Sequence, residues 1–106
     1  MKNKIVIQKM LYYIEKVMKY TTDMNYDNFI SDDMVVEACV FNLSQLGELA
    51  NKVDSDYKKE QIKVPWNQIY GLRNKIVHDY EGVNLKLVWE IIKGDLPELK
   101  EMLEGI

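Results

Sequence analysis

Histidine and cysteine are almost missing from this chain, which has one of each in 106 residues, His78 and Cys39. A single thiol closes no internal disulfide, and Cys39, set in the run Ala38-Cys39-Val40-Phe41, reads as a small core residue. One Cys and one His also leave no metal cluster of the usual nitrogen and sulfur type, so no metal or cofactor is expected. Proline is scarce, at two residues, and no linker, repeat or low-complexity tract divides the sequence; residues 1–106 read as one domain. Long apolar runs are lacking too. None approaches the roughly 20 residues of a membrane span, and Met1–Lys9 interleaves charge with apolar side chains, unlike a signal peptide. A cytoplasmic protein with no membrane partner is the expectation.

Positive charge is also short overall. The net charge is −3, whereas a protein that binds nucleic acid over its whole surface is usually basic. The charge is unevenly spread, however. Residues 1–51 balance to −2, residues 52–78 to +3 and residues 79–106 to −4. The middle stretch holds Lys52, Lys58, Lys59, Lys63, Arg73 and Lys75, so a polyanion could be held locally.

What is abundant is helical patterning. Ile7, Met10, Leu11, Ile14, Val17 and Met18 form one apolar stripe over Asn3–Tyr20, with Tyr12, Tyr13 and Tyr20 expected at its margins. Residues 21–30 break the pattern and read as a connection, with Phe29 and Ile30 folding back onto the core. Ser31, Asp32 and Asp33 supply a cap and an acidic first turn for a helix over Asp33–Val53. That helix is apolar around most of its circumference and belongs mid-bundle. Its polar ridge, Asn42, Gln45 and Glu48, is placed to support a site on a neighbouring helix, and Gly47 suggests a close helix crossing. A short turn at Ser55–Glu60, a helix over Trp66–His78 and a stop at Gly82 follow. Asn84 then caps a last helix, which Gly94 and Pro97 should kink or break. The fold expected is an all-α bundle of four to five helices.

Chemistry concentrates in Leu72–Glu81, where Arg73 precedes His78 by five residues and Tyr80 follows by two. An Arg guanidinium is a rigid, permanently charged donor fork for phosphate. A histidine exchanges protons near neutrality. Arg73-Asn74-x3-His78-x-Tyr80, with Val64-Pro65-Trp66 before it, Gly82-Val83-Asn84 after it, and Leu46-Gly47-Glu48 earlier, resembles the HepT-like toxins, helical ribonucleases of the HEPN superfamily. The likeness extends over nearly the whole chain. It implies a homodimer with its site at the subunit interface, RNA as substrate, and Arg73 and His78 as catalytic residues. It further implies a type VII toxin–antitoxin pair, in which a nucleotidyltransferase antitoxin transfers AMP to Tyr80.

Helix geometry bears on the same residues independently. Positions five apart on an α-helix point about 140° away from each other, so Arg73 and His78 converge poorly on one straight helix. Asn74 and His78, at i and i+4, share a face. Two copies meeting about a two-fold axis would bring Arg and His into one groove. Asn74 could orient the imidazole or the phosphate there, while Asp79 either holds His78 or completes the turn. The competing readings are a non-catalytic helical dimer that binds RNA or nucleotide, and a module that only docks a nucleotidyltransferase.

Overall fold

Short polar side chains set several of the helix starts. The computed structural model describes residues 2–76 and 82–106, and among them every regular element is helical. Helix α1 spans Lys2–Tyr20, α2 Tyr26–Ile30, α3 Asp33–Lys52, α4 Ser55–Glu60, α5 Trp66–Tyr70 and α6 Leu72–Ile76. Helix α7 covers Leu85–Glu90, a π-helical turn covers Ile91–Asp95, and α8 covers Leu96–Glu104. Asp32 caps α3 by accepting from the Val35 N–H at 3.1 Å. Asn84 caps α7 by accepting from the Leu87 N–H at 3.1 Å, so both expected caps are in place.

Four long helical stretches make the bundle: α1, α3, α5 with α6, and α7 through α8. Helix α3 lies at the centre, against both α1 and the α5–α6 pair. Met10, Ile14 and Val17 of α1 meet Cys39, Leu43, Leu46 and Ala50 of α3 in the buried core. Leu96, Leu99 and Leu103 of α8 close it from the other end of the chain. No described helix is long and apolar enough to cross a membrane.

Several expectations need correction. The stretch read as a connection contains α2, whose start is a reciprocal capping box. The Asn28 N–H donates to Asn25 Oδ1 at 2.8 Å, and the Asn25 N–H donates to Asn28 Oδ1 at 3.2 Å. Phe29 does fold back, fully buried, and stacks obliquely on Trp89 with centroids 5.2 Å apart. The helix expected over Trp66–His78 is broken at Gly71 into α5 and α6, and residues 77 and 78 lie outside the described residues. Helix α3 is central as expected, but two of its apolar side chains reach solvent, Met34 being 81% and Phe41 60% exposed. Tyr12 stands 57% exposed on the outer face of α1 and not at the stripe's margin.

Gly47 does mark a close crossing. A Cβ there would sit 2.9 Å from the Ile69 carbonyl oxygen and 3.2 Å from that of Tyr70. The break expected near Gly94 and Pro97 takes the form of a wider turn, in which the Leu96 N–H reaches back to the Ile91 carbonyl. Pro97 has no N–H to lose, so the extra residue is absorbed where the ladder is already interrupted. Lys93, on that turn, donates to the Thr21 carbonyl at 3.3 Å and lies 4.8 Å from the Trp89 ring centroid, tying the end of α1 to α7.

Candidate active site

The motif begins on α6, a helix held by its buried side. Ile76 is fully buried and Leu72 half-buried, and α6 packs on α3. Arg73, Asn74 and Lys75 therefore face solvent. The break at Gly71 is slight in hydrogen-bond terms. Its own N–H reaches Asn67 O at 3.0 Å, and its carbonyl accepts from the Lys75 N–H at 3.1 Å. Helical spacing thus carries through, and Tyr70, 50% exposed, shares a face with Arg73 and Asn74 at i+3 and i+4. Sequence analysis gave Tyr70 no part in the site. The spacing to Arg73 was the available signal.

His78, Asp79 and Tyr80 lie outside the described residues. Their flanks are defined. The Asn84 N–H donates to the Ile76 carbonyl at 3.1 Å, joining the end of α6 to the cap of α7. Gly82, at φ +116°, adopts a conformation that L side chains rarely take, while the helix end it was expected to stop lies outside the described residues.

The polar ridge of α3 divides. Asn42 is 3% exposed, Gln45 half-buried and Glu48 exposed. Asn42 Nδ2 donates to the Ala38 carbonyl of its own helix at 2.6 Å, and Asn42 Oδ1 has no partner among the described residues. Among the described residues, no three His, Cys, Asp or Glu side chains gather at one point. A cleft of about 370 Å³ opens between α5–α6 and α7–α8, floored by Ile69, Leu72, Ile91 and Leu96, with Lys63 and Lys75 against Asp95 and Glu98. Leu72 and Lys75 line it, and Arg73 and Asn74 do not.

The end of α5 and the start of α6 present a phenol ring, a guanidinium and an amide on one exposed face. Such a face suits a phosphodiester flanked by a base. Comparison with known proteins agrees. Residues 10–106 match the family model described as "Ribonuclease HepT-like". The chain is 32% identical over 88 residues to a Methanocaldococcus jannaschii protein named "Putative RNase MJ1380", covering 83% of this chain and 81% of that one. It is 31% identical over 101 residues to "Putative RNase TTE0752" of Caldanaerobacter subterraneus subsp. tengcongensis, covering 95% and 87%. A Thermococcus cleftensis protein named "Probable ribonuclease HepT" is 26% identical over 91 residues, covering 86% and 83%. No solved structure matches it at the same significance. The chain belongs to the HepT-like family of ribonucleases.

Proposed function

We propose that this protein is a metal-independent endoribonuclease toxin of a type VII toxin–antitoxin pair, acting as a homodimer with Arg73 and His78 from paired subunits at one RNA linkage. The observation that carries the reading is the exposed Arg73–Asn74 face of α6, fixed by the buried Ile76, at the head of the family's motif. In this reading the 2′-hydroxyl attacks the adjacent phosphorus and the bond to the 5′-oxygen breaks. His78 removes the attacking proton, and a histidine, its own or that of the second subunit, protonates the leaving oxygen. Arg73 stabilises the charge gathering on the phosphate oxygens. Asn74 orients the imidazole or the phosphate, and Asp79 completes the turn after His78.

Tyr80 is the regulatory residue of the proposal. A nucleotidyltransferase antitoxin moves AMP from ATP onto its hydroxyl with release of pyrophosphate. The anionic adduct beside Arg73 and His78 then blocks an RNA phosphate by bulk and by charge. The exposed apolar side chains of α3, Met34 and Phe41, support pairing of two copies, since a large apolar side chain left open on a central helix suits a partner surface.

Cleavage of cellular RNA by the purified protein tests the reading. Arg73→Ala should lower the rate by about 100- to 1,000-fold, and His78→Ala by about 100- to 10,000-fold. Incubation with the antitoxin and ATP should add AMP by intact mass, and Tyr80→Phe should abolish the addition. RNA left whole by the wild type would instead identify a docking module. Equal modification of the Phe variant would remove Tyr80 from its role.

A further inference from the structure

Helix α1 carries five lysines and one glutamate, a balance of +4 in a chain whose net charge is −3. At 100° per residue, Lys9, Tyr12, Lys16 and Lys19 fall within an arc of about 80°. That arc lies opposite the buried Val6, Met10, Ile14 and Val17, and Glu15 falls outside it. Tyr12 occupies the middle of this face and is 57% exposed. Its ring meets Tyr13 edge-on, with centroids 5.5 Å apart and planes at 65°, and Lys16 Nζ lies 5.1 Å from its centroid. The hydroxyl of Tyr20 holds the Lys16 pKa above the ordinary lysine value. Tyr13 is half-buried against the core, whereas Lys9, Tyr12, Lys16 and Lys19 belong neither to the core nor to the Arg73 motif.

We propose that this face of α1 is a second contact surface for single-stranded RNA, with a base stacked on Tyr12 and phosphates held by Lys9, Lys16 and Lys19. The proposal rests on the ribonuclease reading for its choice of polyanion. Alternating cations and an exposed ring are what a single strand needs, because every base has a flat face and every linkage a charge. A second copy of the chain fits poorly, since a two-fold contact here would set lysines against lysines. A lipid surface fits poorly as well. Met10, Ile14 and Val17, the apolar side of α1, are fully buried and cannot enter a bilayer. For an acidic chain, the surface answers how substrate is held beyond one arginine.

Fluorescence anisotropy with a labelled 2′-O-methyl oligouridylate tests this, because that strand lacks the attacking hydroxyl and stays whole. Tyr12→Ala should weaken binding about tenfold, while Tyr12→Phe keeps the ring and should hold affinity within about twofold. Lys16→Gln should reduce the slope of log affinity against log salt by about 0.7. Unchanged affinity in Tyr12→Ala together with an unchanged slope in Lys16→Gln would overturn the proposal. So would a change in sedimentation of Tyr12→Ala, which would assign the face to subunit packing. The two readings fail separately. Tyr12-dependent binding without cleavage of ordinary RNA keeps the α1 surface and removes the nuclease; cleavage with Tyr12-independent binding does the reverse.

Discussion

Cys39 is fully buried, and burial pushes its thiol up to about 12 from an ordinary 9.0. The thiolate is the reactive form, so the folded protein should resist a thiol reagent at pH 8 and react fully once denatured. An unfolded chain ionises this thiol near 9 and the folded chain only near 12. The stability tied to the neutral thiol is therefore intact below pH 9 and is lost as pH rises towards 12. The urea midpoint of the wild type, relative to Cys39→Ala, should hold from pH 7 to 9 and decline above. Rapid labelling of the folded protein would refute the buried site. The reading of Cys39 as a core residue was available from its apolar neighbours alone. Residue types likewise singled out Arg73, whose exposure on α6 then depends on Leu72 and Ile76 turning the other way.

At the scale of elements, Gly47 gives the sharpest expectation. Alanine is the better helix former by about 1 kcal/mol. Its methyl, however, would sit 2.9 Å from a backbone oxygen of Ile69, which cannot swing aside like a side-chain tip. Overpacking of that kind costs about 1 to 3 kcal/mol, so Gly47→Ala should be net destabilising, with melting lowered by several degrees. Gly94→Ala is the control, because nothing lies within 4 Å of its added methyl. A rise in melting temperature for Gly47→Ala would mean that α3 and α5 do not cross closely. Helix starts at Asp32 and Asn84 could be read in advance because one oxygen satisfying one N–H is a local event. Helix α2 escaped for a related reason. Asn25 and Asn28 are turn formers in isolation and become a capping box only when each meets the other. Gly94 and Pro97 announced a break, but its form depends on Ile91, Ile92 and Leu96 all being buried, a requirement of packing and not of local sequence.

For the molecule as a whole, the exposed Phe41 decides whether one copy suffices. If two copies pair through α3, a carboxylate at this position would be buried without a partner, which is costly. In that case the wild type should sediment as a dimer at micromolar concentration and Phe41→Asp as a monomer, with RNA cleavage lowered by about tenfold or more. A dimer that survives Phe41→Asp would place the contact elsewhere. Counting apolar residues around α3 suggested a helix in the middle of the bundle. The count registers what must be covered and is silent on whether the cover comes from the same chain, and Met34 and Phe41 are where that ambiguity falls. The amide of Asn84 on the carbonyl of Ile76 has a consequence of its own. It fixes the end of α6 against the start of α7 without using the side chains that lie between them in sequence. If Tyr80 takes a nucleotide as proposed, the modified protein should therefore keep the melting temperature of the unmodified one, which thermal denaturation of the two forms checks.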